Sequence, residues 1–203
     1  MNPTVRVAIL AFDDVEALDL AGPYEVFTTA SRMAQRAAPD APPPFEVTCV
    51  ARNQASVRMR AGLSVLPEHS FADAPPADVL IVPGGGVDAA MQCAATLEWI
   101  ASASRDASVT ASVCTGAFLL AASGVLRDGP VTTHWEDIAD LRMRFPSLDV
   151  REDVRWIDRG SIVTSAGITA GIDMSLHLVA RLADEALALR TARQMDFTWT
   201  RPD

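Results

Sequence analysis

Residues 5–12, VRVAILAF, are apolar at almost every position. A strand with one wet face alternates apolar and polar residues; a continuous run suits a strand buried on both faces, inside a parallel sheet covered by helices. Runs of this kind alternate with longer amphipathic segments along the whole chain. Phe45–Ala51, Val79–Val82, Val109–Val113 and Val131–Thr133 read as further strands. A helical pattern begins at Pro23, a plausible first helical position. An Ala-rich helix runs toward Ser104, Ala117–Ser123 closes on Gly124, and Trp135–Phe145 follows. From Thr169 onward, Ile172, Leu176, Val179 and Leu182 recur at helical spacing. Val154–Asp158 and Ser161–Thr164, joined by Arg159-Gly160, predict a hairpin. The Pro-rich stretch from Pro39 to Pro44 is a loop too short to link domains. With no repeat and an even composition, the expectation is one α/β domain over residues 1–203, layered around a mostly parallel sheet.

Composition removes several functions. The net charge of −9 repels phosphate backbones and argues against nucleic acid as a partner. All 17 basic residues are Arg, which excludes a Schiff-base lysine, a pyridoxal phosphate anchor and a Walker-type phosphate loop. Three cysteines (Cys49, Cys93, Cys114) and three histidines (His69, His134, His177) are scattered without metal-ligand spacing, so no metal site is expected. The odd cysteine count and the lack of a signal peptide favour a reducing cytoplasm. No apolar run approaches the ~20 residues needed to span a bilayer.

In parallel sheets, ligands sit beyond the carboxyl ends of the strands. Three such junctions carry chemistry. Ser112-Val113-Cys114-Thr115-Gly116 joins a strand to a helix through small residues two before and two after the cysteine, as a nucleophile elbow requires. That turn presents sulfur at the positive end of a helix, where a thiolate is stabilised and the pKa is expected to fall. Most free cysteines are small core residues, and Cys49, mid-strand, and Cys93, inside a helix, are read that way. No histidine follows Cys114; Thr115 offers a backbone N–H and a hydroxyl. The turn Pro83-Gly84-Gly85-Gly86 presents N–H groups free of side chains, suited either to an oxyanion or to a tight βα connection only. Asp19 stands between Leu18 and Leu20, either turned out to water or buried at a cost. Beside a thiolate its pKa would rise, and it could then donate its proton to sulfur or substrate, the two groups titrating jointly.

Taken in order, Leu18–Pro23 (LDLAGP), Val82–Gly86 (VPGGG), Ser112–Ala121 (SVCTGAFLLA), Thr132–Trp135 (TTHW) and Thr164–Asp173 (TSAGITAGID) resemble the DJ-1/PfpI superfamily over nearly the whole chain. The resemblance implies a flavodoxin-like three-layer sandwich, a homodimer and no cofactor. Within the superfamily the chain looks most like the isocyanide hydratase branch. There Cys114 would be the nucleophile and Asp19 the acid beside it. Gly85 and Thr115 would match the oxyanion donors, with Gly84 in the same turn, and Ile168 would match a residue shaping substrate access. The VCTG elbow departs from the CHG elbow of protease and glyoxalase-like branches.

The ligand-binding halves of AraC-type regulators share LDLAGP, VCTGAF, TTHW and TSAG. Because the sequence ends at Asp203 without a helix-turn-helix module, no direct DNA binding is expected. The closing segment Gln194–Pro202 looks like the short tail of hydratase-like members. His134 is expected to be structural, Asp173 a helix-start acid, and the four tryptophans core or dimer-interface residues. The expected activity is cofactor-free hydration of a small electrophile, most concretely an isocyanide to an N-formamide. Its rivals are glyoxalase- or amidase-like chemistry and a non-enzymatic small-molecule or redox sensor.

Overall fold

The computed structural model describes residues 3–201. The reading of residues 1–2 and 202–203 as parts of the domain and its tail lies outside them. The elements run β1 (Val5–Leu10), α1 (Ala17–Ala37), β2 (Phe45–Ala51), β3 (Val57–Arg58), β4 (Ser64–Val65), β5 (His69–Ser70) and β6 (Val79–Val82). Then come α2 (Asp88–Gln92), α3 (Ala94–Asp106), β7 (Val109–Val113), α4 (Gly116–Ala122), β8 (Gly129–Val131) and α5 (Ile138–Arg144). The chain closes with β9 (Leu148–Val150), β10 (Trp156–Asp158), β11 (Ile162–Ser165), α6 (Ala170–Leu182) and α7 (Glu185–Gln194).

Seven strands form one sheet in the order β10-β11-β7-β6-β1-β2-β5. Every pairing is parallel except that of β10 with β11, the expected hairpin. The five inner strands, counted along the chain, follow the 2-1-3-4-5 order of doubly wound flavodoxin-like sheets. Right-handed crossovers leave β1 in one direction and β6 in the other, so their helices cover opposite faces. The group α1, α6 and α7 covers one face, and α3 with α4 the other. Burial on both sides explains the continuous apolar runs: every residue of β6 and β7 is buried.

Several expectations need correction. The first helix begins at Ala17, six residues before Pro23, which lies inside it. The proline removes only the bond its own N–H would give to the Asp19 carbonyl, in the opening turns of the helix. The Ala-rich helix is two helices broken at Cys93, which therefore lies between helices and not within one. The strand read as Val131–Thr133 ends at Val131, and Trp135–Asp137 is a short 3-10 turn ahead of α5. A separate last helix, α7, is started by Asp184, whose side chain accepts the Leu187 N–H at 2.7 Å.

The centre of the sheet sets the stability. Ile81 is fully buried in the strand between β1 and β7. Ile81→Ala should therefore cost about 2–5 kcal/mol in chemical denaturation. Leu66→Ala, at a side chain 70% exposed, should stay within about 0.5 kcal/mol.

Candidate active site

The cysteine elbow is built by backbone packing. Cys114 lies between β7 and α4 with φ of 56°, in the left-handed region that a non-glycine residue adopts only when its surroundings hold it there. They hold it at both ends. Its N–H reaches the carbonyls of Ser165 and Ala166 at 3.1 and 3.3 Å, at the end of β11 and one residue beyond it. Its own carbonyl accepts the Thr133 hydroxyl at 2.8 Å. Two residues on, a Cβ at Gly116 would stand 2.1 Å from the Val82 carbonyl oxygen, so only glycine lets the turn lie against the end of β6. The small-x-Cys-x-small pattern is thus explained on its C-terminal side by contact with a neighbouring strand's main chain.

Asp19 is brought to the elbow by the first turn of α1. An acid there would ordinarily face water and the helix dipole, but this side chain is fully buried. Its Oδ2 accepts the Gly84 N–H at 3.1 Å, its Oδ1 has no hydrogen-bond partner, and the carboxyl lies close enough to Cys114 for each group to shift the other's titration. Burial pushes this carboxyl up to about 7, against the lowering effects of the Gly84 hydrogen bond and of Cys114 nearby. Cys114 is itself buried, with 7% of its surface exposed. Desolvation, followed by the negative charge of Asp19, pushes the thiol up to about 12.

The expected low-pKa thiolate is therefore corrected. Thr115, at the helix start, does favour ionisation of the sulfur, but burial and the neighbouring carboxylate outweigh it, and its hydroxyl donates to the Gly85 carbonyl at 3.0 Å. At neutral pH the sulfur keeps its proton, and Asp19 is the member of the pair that ionises first.

The glycine turn departs from expectation in a related way. Its three N–H groups are all engaged: Gly84 with Asp19, Gly85 with the Thr115 Oγ1 at 2.8 Å, and Gly86 with the Asp14 carbonyl at 2.8 Å. The turn therefore positions the acid and Thr115 in place of leaving open donors for an oxyanion. Gly84 must be glycine, because a Cβ would lie 2.5 Å from the Thr115 nitrogen and 3.0 Å from the Asp19 carboxylate. A bridge between Val15 and Gly85 ties the start of α1 to the same turn.

Ile168 is half-buried in the loop between β11 and α6, two residues beyond the Ala166 carbonyl that holds Cys114. His134 sits over the bare α-carbon of Gly167 in that loop, its Nδ1 3.4 Å from Asp137. Asp137 adds to the negative potential on Cys114, and Thr133 anchors the elbow. Neither residue was singled out from sequence, although both lie in or just after the TTHW segment. A cavity of about 410 Å³ runs along Thr132, Thr133, Ala166 and Gly167, the walls that hold the elbow; Cys114 contributes nothing to its lining.

Other residues separate cleanly from the site. Asp173 does begin a helix, but it is fully buried, paired with Arg155, and its Oδ1 accepts the Thr200 N–H at 2.7 Å, so it also docks the C-terminal tail. Trp156 is buried and Trp99 stacks on Phe71, whereas Trp135 is 76% exposed. Among the described residues no group of three or more His, Cys, Asp or Glu could hold a metal ion. No described helix is long and apolar enough to cross a membrane.

Comparison with known proteins gives a consistent picture. Residues 5–181 match the DJ-1/PfpI family. The chain is 34% identical to an isonitrile hydratase of Pseudomonas putida, over 95% of this chain and 78% of that protein. It is 30% identical to the HTH-type transcriptional regulator CdhR of Pseudomonas aeruginosa, over 70% of this chain but only 42% of the regulator. A ThiJ/PfpI family protein from Pseudomonas syringae superposes with a TM-score of 0.84 at 28% identity, over 99% of this chain and 78% of that structure.

The buried acid has a measurable signature. Its carboxyl binds a proton more tightly folded, at about 7, than unfolded, at its ordinary 3.8, so it destabilises the native state progressively as pH rises through that window. Asp19→Asn removes the penalty. The variant should gain almost nothing near pH 4 and a constant ~2–4 kcal/mol above about pH 7. Urea denaturation across this range checks it; a gain independent of pH would remove the carboxyl's burial as its cause.

Proposed function

We propose, from the premise that this chain belongs to the DJ-1/PfpI family, that it is a cysteine-dependent hydratase of small electrophiles needing no cofactor. The most concrete substrate class is the isocyanides, converted to N-substituted formamides. The observation that carries this reading is the buried pair itself: a cysteine forced into the left-handed region, in contact with a buried carboxyl that has one oxygen unbonded. A purely structural cysteine needs neither feature.

The titration order assigns the roles. Asp19 carboxylate takes the thiol proton as Cys114 sulfur attacks the terminal isocyanide carbon. It then delivers that proton to the same carbon, giving a thioimidate, R–N=CH–S–Cys114. Water adds to this carbon with Asp19 accepting its proton. Asp19 passes that proton to the nitrogen, collapse of the adduct expels the sulfur as the hydroxyl proton returns to it through Asp19, and R–NH–CHO leaves with the Cys114 thiol restored. Thr115, at the start of α4, favours the charge on the sulfur. Gly84 orients the acid, Gly85 holds the Thr115 hydroxyl, and Ile168 borders the approach. The working unit is residues 1–203, with a small molecule as partner, no direct contact with nucleic acid, and a homodimer as its assembly.

A second reading is a sensor that binds a small molecule or is oxidised at Cys114 without turnover; likeness to the longer HTH-type regulator favours it. Glyoxalase- or amidase-like turnover is tested by offering a dicarbonyl or an amide. Hydration of a model isocyanide separates all three. Cys114→Ala should abolish it, and Asp19→Asn should lower kcat by about 10²–10⁴. In the wild type, kcat/KM should rise as pH passes through about 7, where Asp19 loses its proton. Equal rates for wild type and Cys114→Ala, or ligand-dependent stabilisation with no product, would overturn the hydratase reading.

A further inference from the structure

Arg155 stands one residue before β10 and is tied to both ends of the loop that leads from β11 into α6. Its carbonyl accepts the Ala166 N–H at 2.9 Å, which carries the pairing of the hairpin one step past Ser165. Its guanidinium turns to the other end, where Nη2 donates to the Thr169 hydroxyl at 3.4 Å. Thr169 starts α6, yet its hydroxyl caps no N–H of that helix. Residues 166–169 are thus spanned by one arginine.

The guanidinium is itself held from a second direction. Asp173, in the first turn of α6, is fully buried; its Oδ2 accepts Nε–H at 2.6 Å and pairs with Nη2 as well. The other carboxylate oxygen takes the Thr200 N–H at 2.7 Å, and the Trp199 indole N–H reaches the Asp173 carbonyl at 3.1 Å. A planar fork pinned at Nε and Nη2 keeps one orientation and can serve Asp173 and Thr169 together. An ammonium in its place is a point charge, suited to Asp173 alone.

Packing holds this loop on one side only. A Cβ at Gly171 would stand 2.7 Å from Val113 Cγ1, so the start of α6 lies hard against the residue before Cys114. On the other side Arg155, Ala166, Gly167 and Ala170 line the cavity of about 410 Å³, which leaves space behind the loop. Its position there depends on the hydrogen bonds of Arg155. The loop carries Ile168, which the proposed reaction sets beside the approach to the sulfur. Ser165 and Thr133 keep the elbow itself in place if residues 166–169 shift. With 7% of Cys114 exposed, the braced opening is narrow.

We propose that Arg155 is a positioning residue for the Cys114 site: by bracing residues 166–169 it sets how bulky a molecule reaches the sulfur. The inference rests on the reading of Cys114 as the reacting group. It narrows the substrate class to electrophiles with compact substituents, and a relaxed loop admits aromatic ones. Asp173 and the C-terminal segment act through Arg155, by fixing where its guanidinium points.

Two thiol reagents of the same chemistry and unlike size, N-methylmaleimide and N-benzylmaleimide, read this without any turnover. Each is given to the full-length protein at pH 8, and peptide mass spectrometry follows the adduct on Cys114. Deleting the Arg155 side chain would strand a buried carboxylate. Arg155→Lys, which keeps a charge on Asp173, and Thr169→Val, which removes only the hydroxyl, therefore carry the test. The wild type should favour the methyl reagent. Both variants should raise the benzyl rate about two- to tenfold, the worth of one hydrogen bond, and leave the methyl rate unchanged. In hydration assays, KM for an N-benzyl isocyanide should fall in the variants while kcat for an N-methyl one stays. A wild type that hydrates neither sinks the hydratase reading, and the maleimide rates still decide the role of Arg155. Methyl and benzyl rates that rise together, a size preference unaltered in either variant, or a Cys114 that neither reagent reaches would each overturn the proposal.

Discussion

The contact on which the site depends is the approach of the Asp19 carboxyl to the Cys114 sulfur inside the fold. Two acidic groups sharing one small, dry volume do not both ionise at neutral pH: burial raises both, and the charge of Asp19 raises the thiol further. The arrangement would collapse into an unpaired buried acid were it not for the Gly84 N–H, which supplies the carboxylate with its conventional donor. One amide from the turn after β6 thus makes it tolerable to bury the acid of α1 beside the sulfur that follows β7. Three segments distant in sequence meet over that one bond.

The glycines of the central turn serve the same end by a different means. The close approach of Gly84 to Thr115, and of Gly116 to Val82, lets backbone lie on backbone with no side chain between. An oxyanion cradle and an acid-positioning turn have the same sequence signature, strand followed by glycines. They differ only in what the N–H groups face. Here the start of α1 folds back onto the turn through the Val15–Gly85 bridge and takes two of those groups. Thr115 takes the third.

Sequence carried the sheet well because burial on both faces writes an unmistakable pattern. Phe45–Ala51, Val79–Val82 and Val109–Val113 end where their apolar runs end. The elbow was equally legible, since its small residues are demanded by local geometry. What sequence could not carry was anything decided by distant neighbours. The start of α1 was misplaced because proline is a start signal only when nothing else fixes the helix, and Glu16 N–H bonding to Gly84 at 2.9 Å fixes it earlier. The charge state of Cys114 was misjudged because the helix dipole is a local property and burial is not. Asp173 looked like an ordinary helix-start acid for the same reason: its partners, Arg155 and Thr200, are 18 and 27 positions away.

The way Cys114 is clamped has a consequence for how the molecule would fail. Its amide is tied to the end of β11 and its carbonyl to the segment after β8, so the residue is a rivet between neighbouring segments of chain. Fraying of one loop cannot free it; release requires several strand ends to part together, which is a global event. The conformation of this cysteine and the architecture are then fused into a single cooperative unit. A population in which heat has freed Cys114 should have lost its shape as well, with no intact species left between.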